Sequence, residues 1–140
     1  MYIFDINVVS ELRRTKAARP EPAVVDWTQS IPPDSVFVSA ISIHEIKIGI
    51  LKLASRNPTE ARRLQDWLSH TVVPSFAGRI LPLDEQVTLL FAEITAIRTY
   101  PYRDAIIAAT AQHHGYAIVT RNVRDFEGLP VQVINPWEAG

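Results

Sequence analysis

The chain has 140 residues, of which 47% are hydrophobic and 21% charged, and its formal net charge is −1. This composition is typical of a globular domain and excludes a disordered chain, so we expect one compact domain over residues 1–140. The chain has no cysteine, which excludes disulfides and thiolate chemistry, and its near-neutral charge restricts nucleic-acid binding to a local basic rim.

Short apolar runs alternate with longer helical patterns along the chain. The predicted elements are a strand over 2–4, helices over 7–14 and from 21, a strand over 35–38, helices over 42–53 and 60–72, a short strand over 80–83, helices over 84–98 and 103–114, and strands over 117–120 and 131–134. Strands alternating with helices are typical of parallel βαβ units. The sequence therefore predicts an α/β fold with three layers, α/β/α, around a central parallel sheet.

The N-terminus lacks the basic start and long apolar stretch of a signal peptide. No apolar run approaches the roughly 18 residues of a membrane span. We therefore expect a cytoplasmic protein that has no contact with a membrane.

Acidic side chains recur where the predicted strands end. Asp5 directly follows the first strand, Glu45 lies near the start of the helix after the second, and Asp125 follows the strand over 117–120. Asp104 begins the helix that leads into that same strand. Because a right-handed crossover begins its helix at the carboxyl edge of the sheet, all four belong to one edge. Parallel sheets bind their ligands at that edge.

Most of these carboxylates also have a purely structural interpretation. Ser42 and Glu45 have the spacing of a capping box, Asp104 suits a helix N-terminus, and Asp125 could cap the turn before Phe126. Crowded together, however, carboxylates repel one another unless a cation lies between them. Oxygen ligands without a matching His or Cys set favour Mg²⁺ or Mn²⁺ over Zn²⁺. Such sites typically catalyse phosphate chemistry.

Four segments, in this order, resemble the PIN-domain ribonucleases of the VapC toxin type. They are Asp5-Ile-Asn7-Val-Val-Ser10-Glu11, Ser39-Ala-Ile-Ser-Ile-His-Glu45-Ile with Gly49, Asp104-Ala-Ile-Ile-Ala-Ala-Thr110-Ala, and Thr120-Arg-Asn122-Val-Arg-Asp125-Phe126. Two further segments, Ala77-Gly-Arg-Ile-Leu-Pro and Asn135-Pro-Trp137, resemble the FitB branch. The resemblance covers nearly the whole chain.

The resemblance implies an Mg²⁺- or Mn²⁺-dependent endoribonuclease. It would be the toxin of a type II toxin–antitoxin pair, a homodimer that a small antitoxin neutralises and that reaches operator DNA only through that antitoxin. By motif, Asp5, Glu45 and Asp104 correspond to the catalytic, metal-binding carboxylates. Asn122 stands where FitB-like members have a fourth Asp, so the fourth ligand is either Asn122 or the nearby Asp125. Thr120 would support the site through its hydroxyl.

The sequence indicates the residues that bind the substrate less clearly than it indicates the acidic residues. Arg121 and Arg124 flank the last candidate ligands and could hold RNA phosphates. A second basic run, Arg13, Arg14, Lys16 and Arg19, is either a phosphate contact or a solvated surface.

Two alternative functions are also considered for these residues. A haloacid-dehalogenase-like phosphohydrolase would use Asp5 as a nucleophile, but it needs Asp-x-Asp, and Asn7 stands in the second place. A non-catalytic partner would instead help the antitoxin to bind operator DNA.

Overall fold

Five short strands form a parallel sheet in the computed structural model, which describes residues 1–14 and 19–138. The strands are β1 (Tyr2–Phe4), β2 (Val36–Ser39), β3 (Ile80–Leu81), β4 (Ala117–Val119) and β5 (Val133–Ile134), and their order across the sheet is β3-β2-β1-β4-β5. All four pairings are parallel. Lys16 of the basic run lies outside the described residues.

The register of β1 and β4 places their carboxyl ends side by side. Phe4 is paired with Val119 at the last position of each strand. Each strand is followed directly by a polar residue, Asp5 and Thr120 respectively. The centre of the sheet edge is therefore polar, as the sequence predicts.

Helices connect the strands. They are α1 (Ile6–Arg13), α2 (Pro22–Gln29), α3 (Ala40–Ala54), α4 (Pro58–Trp67), α5 (Val73–Ser75), α6 (Glu85–Ile97) and α7 (Tyr102–His114), with a π-helical turn (Leu68–Val72) between α4 and α5 and 3-10 turns at Pro33–Ser35 and Val123–Phe126. None of the helices in the described part of the chain combines the length and the apolarity that a membrane span requires.

The core lies on both faces of the sheet, because alternate strand residues point to opposite sides. Ile3 and Ile118 pack with α6 and α7 on one face. Phe4 and Val119 pack with α1 and α2 on the other. A third cluster joins α3 to α4 and the π-helical turn. This arrangement confirms the predicted α/β/α layers.

Some predicted boundaries were wrong. The helix predicted over 60–72 begins at Pro58, after the N-cap Asn57, and changes to a π-helical turn at Leu68. The last strand is limited to Val133–Ile134. The ends of α6 and α7 were predicted well, because Asp84 caps α6 through the Val87 amide and Gly115 ends α7 in the left-handed conformation, at φ 71°.

Candidate active site

Asp5 is fixed at the sheet edge by a backbone hydrogen bond and by three hydrogen bonds to its carboxylate, of which the one from Asn7 Nδ2 is 3.4 Å long. Its backbone N–H donates to the Val119 carbonyl at 2.9 Å, which continues the pairing of β1 with β4. Its carboxylate accepts from the Ile6 amide at 2.7 Å and from the Thr120 hydroxyl at 2.8 Å. Asp5 is therefore the N-cap of α1, and the residue is only 2% exposed. A carboxylate so buried and bonded is held in one orientation.

The Thr120 hydroxyl joins the ends of β1 and β4. It is fully buried, donates to Asp5, and accepts from Asn7 Nδ2 and from the Asn122 amide, both at 3.1 Å. Asn7 Oδ1 in turn accepts from the Arg121 amide at 3.3 Å. The turn after β4 is thereby attached to the start of α1.

Asp104 lies in the first turn of α7, at the same edge. Its residue exposure is 2%, and the Arg103 Nε lies 3.4 Å from its Oδ1. Burial raises the pKa of the Asp104 carboxyl; the Arg103 guanidinium opposes that rise, and the charges of Asp125 and Asp5 add to it. Two further aspartates, from two other segments, are therefore within electrostatic reach of Asp104.

Glu45 lies near the start of α3 and contacts α7. The Tyr102 hydroxyl donates to its Oε1 at 3.1 Å, and His44 Nδ1 lies 3.7 Å from the same oxygen. This hydrogen bond, together with the Glu45 charge, raises the pKa of the Tyr102 phenol. Tyr102 is two residues before Asp104, so Glu45 is attached to the helix turn that carries Asp104.

The capping-box interpretation of Glu45 is wrong. The N-cap of α3 is Ser39, whose hydroxyl accepts from the Ile41 amide at 3.2 Å. Ser42 lies within the helix, and its buried hydroxyl has no hydrogen-bond partner in the described residues. The helix begins earlier than predicted, so Glu45 is free to bond elsewhere.

The carboxylates share an edge but do not converge on one point. Within residues 1–14 and 19–138, no three Asp, Glu, His or Cys side chains lie close enough together to hold a metal ion. Like charges repel, and each carboxylate instead has a protein donor: Thr120 for Asp5, Arg103 for Asp104, and Tyr102 for Glu45. Their oxygen chemistry nevertheless fits a hard divalent cation, because positive charge would stabilise the ionised form of Asp104, whose pKa is raised first by burial and then by the charges of Asp125 and Asp5.

The remaining predicted residues follow β4 and line a cavity. Arg121, Asn122, Arg124 and Asp125 line a space of about 440 Å³. The same cavity is lined by Asn135 and Glu138, which the sequence did not single out as site residues. Arg121 also lies over Trp137, its guanidinium carbon 5.1 Å from the ring centroid. The sequence signal for Asn135 and its neighbours was the Asn135-Pro-Trp137 motif.

Two other features lie apart from this edge. A cavity of about 560 Å³ is lined mainly by apolar residues and lies between α1, α2 and the π-helical turn; no carboxylate lines it. Glu11, part of the opening motif, accepts from the Glu21 amide at 3.0 Å and so joins α1 to α2. Glu11 therefore has a structural contact away from the aspartates.

The fold and its acidic edge define a class of protein. The PIN domain family model matches residues 2–130, and the chain belongs to this family, as its resemblance to VapC- and FitB-type proteins indicated. It is 35% identical to Toxin FitB of Neisseria gonorrhoeae, over 98% of this chain and 99% of the relative. It is 34% identical to VapC ribonuclease Y4jK of Sinorhizobium fredii, over 99% of each chain.

A solved structure, of FitAB bound to an IR36 DNA fragment, is similar throughout. It has a TM-score of 0.83 and 35% identity, and the match covers 99% of this chain and 96% of that one. The predicted fold class is confirmed by this similarity.

Proposed function

We propose that the chain, as a single domain over residues 1–140, is a metal-dependent endoribonuclease and the toxin of a type II toxin–antitoxin pair. The observation that carries the proposal is the buried Asp104 carboxyl, whose pKa is raised by burial and by two further aspartates at the carboxyl edge of a PIN-domain sheet. Perturbed carboxyls at such an edge are typical of functional sites. A 34% identical relative is named as a VapC ribonuclease.

Asp5, Asp104 and Glu45 would hold the cation, with Asn122 or Asp125 as a further ligand. When bound, Mg²⁺ or Mn²⁺ lowers the pKa of a water molecule and neutralises charge on the scissile phosphate. Thr120 orients Asp5 through its 2.8 Å hydrogen bond.

Two kinds of residue would support these ligands. Tyr102 holds Glu45 beside the helix turn of Asp104. Arg121 and Arg124 lie after β4 and would bind the phosphates of the RNA.

The proposed binding partners of the protein are inferred from the proteins it is similar to. We propose that a small antitoxin neutralises the protein, that the toxin is a homodimer, and that the pair acts in the cytoplasm. The similar solved structure is described as FitAB bound to a DNA fragment. That description supports operator-DNA binding by the complex, with the antitoxin making the DNA contact.

A purely non-catalytic partner is the second candidate, favoured by the same DNA-bound structure. The phosphohydrolase candidate is not favoured. Asp5 Oδ1 accepts from the Ile6 amide, and Oδ2 accepts from Thr120 and Asn7, so both oxygens already have protein donors. Asn7 also occupies the place of the second Asp that such enzymes need.

RNA cleavage tests the proposal. Purified, antitoxin-free protein is incubated with single-stranded RNA in Mg²⁺, in Mn²⁺ or in EDTA, beside Asp5→Ala, Asp104→Ala and the exposed control Asp66→Ala. We expect cleavage in either metal by the wild type and by Asp66→Ala, and none in EDTA or by the other two variants. Circular dichroism confirms that each variant is folded. Absence of cleavage under every metal, or full activity of both site variants, would contradict the proposal and favour the non-catalytic partner.

A further inference from the structure

We propose that the 440 Å³ cavity after β4 and β5 is a subsite for one unpaired nucleotide of the RNA, next to the cleavage centre. The inference rests on the proposed ribonuclease function and specifies how the substrate is held. Its volume falls within the range of about 300–1,000 Å³ that small-molecule pockets occupy.

The cavity adjoins the acidic edge through Asp125. Asp125 lines the cavity, and the 3-10 turn Val123–Phe126 to which it belongs contacts α7, the helix that carries Asp104. Asn122, another lining residue, is bonded through its amide to the Thr120 hydroxyl that holds Asp5. A nucleotide in the cavity therefore lies beside the aspartates, with its neighbouring phosphate at the edge they occupy.

Contacts with Trp137 and Asn7 fix the position of Arg121 before a phosphate binds. Its guanidinium carbon lies 5.1 Å from the centroid of the Trp137 ring, and its amide donates to Asn7. The Trp137 amide is itself fixed by Asn135 Oδ1 at 3.0 Å. A stacked guanidinium has already lost part of its rotamer freedom, so less entropy is lost when an anion binds.

The mixed charge of the cavity selects a nucleotide over an acidic peptide. Arg121 and Arg124 attract an anion, but Asp125 and Glu138 line the same space and would repel an acidic side chain. A nucleotide carries both an anionic phosphate and a base, and the N–H groups of a base can donate to the Glu138 carboxylate and the Asn135 amide oxygen, neither of which is a proposed metal ligand. A base reaches a concave pocket only when it is unpaired.

Binding measured without cleavage tests the subsite separately from catalysis. The full-length protein is titrated into a fluorescent single-stranded RNA in EDTA, at several KCl concentrations, and the anisotropy is recorded. The variants are Arg121→Ala, Arg124→Ala and Arg121→Lys. Arg62→Ala, an exposed arginine on α4, is the control with the same change of charge.

We expect Arg121→Ala and Arg124→Ala each to weaken binding about tenfold, the effect of losing a hydrogen bond to a charged group. Each should also reduce the slope of log K against log salt by about 0.7, because one phosphate contact is lost. Arg121→Lys should keep the salt slope yet bind less tightly than the wild type, and Arg62→Ala should match the wild type. A duplex of the same sequence should compete poorly.

The subsite is refuted if both alanine variants bind as Arg62→Ala does, or if the duplex binds as tightly as the single strand. Binding of an acidic peptide that depends on Arg121 while RNA binding does not would refute it in favour of a protein partner. A wild type that cleaves no RNA, but whose RNA binding still depends on both arginines, would instead contradict only the ribonuclease function.

Discussion

Replacing Thr120 by valine should destabilise the protein far more than the same change at Thr110. Both threonines are fully buried. The Thr120 hydroxyl donates to the Asp5 carboxylate at 2.8 Å and accepts from Asn7 Nδ2 and the Asn122 amide. Valine keeps the shape of the side chain, so the change isolates the hydrogen bonds.

Most of the expected loss of stability comes from the hydrogen bond between Thr120 and the Asp5 carboxylate. Loss of a hydrogen bond to a buried charge is worth about 1.5–3 kcal/mol. Asn122 is exposed, so water can replace part of its bond. We therefore expect Thr120→Val to lower the free energy of unfolding by about 2–3 kcal/mol, which corresponds to a Tm decrease of about 6–10 °C for a chain of this length.

Thr110 provides the matched control. Its hydroxyl donates at 2.7 Å to the Ile106 carbonyl within α7, and that carbonyl still accepts the helical bond when the hydroxyl is removed. Thr110→Val should change the unfolding free energy by about 0.5 kcal/mol or less. Urea denaturation in EDTA measures both. Equal stability of the two variants would refute the role assigned to Thr120.

Three further predictions concern stability. Asp104→Asn should increase the free energy of unfolding at neutral pH. The folded-state pKa of Asp104 is raised, so the stability of the wild type falls as the pH rises through that pKa. Denaturation in EDTA should therefore show that the variant is more stable than the wild type at neutral pH and that this difference disappears at acidic pH. Glu11→Ala should lower stability by about 1–3 kcal/mol, because the hydrogen bond from the Glu21 amide to the buried Glu11 carboxylate is lost. RNA cleavage should be unchanged; slower cleavage would place Glu11 in the site. Gly49→Ala should raise the Tm, because the added Cβ meets open space and alanine favours the helix more than glycine does. Gly115→Ala should lower the free energy of unfolding by about 1–2 kcal/mol, because Gly115 has a left-handed φ. Thermal melts that change the Tm in the same direction for both variants would contradict this.

Local signals predicted the fold well. The apolar runs at β1 and β4, the Asp84 cap and the Gly115 stop each depend on residues adjacent in sequence, and all are found in the structure. The π-helical turn at Leu68 was missed, because no local residue pattern distinguishes it from continuing α-helix.

The candidate site was predicted only in part, because some of its contacts join residues that are far apart in the sequence. The strand end placed Asp5, and the right-handed crossover placed Asp104, at the edge where the structure has them. The bond between Glu45 and Tyr102 joins residues 57 positions apart, and helix packing alone determines it. Asn135 and Glu138 were missed because nothing local relates the end of β5 to the cavity beside β4.

A double-mutant cycle tests most directly whether Asp5 and Asp104 act as one centre. The rates of RNA cleavage in Mg²⁺ are measured for the wild type, Asp5→Asn, Asp104→Asn and the double variant, with folding verified for each. Residues that act as a unit have strongly non-additive effects, so the double variant should be no slower than the slower single variant. Losses that multiply, or a single variant with the wild-type rate, would contradict a shared centre.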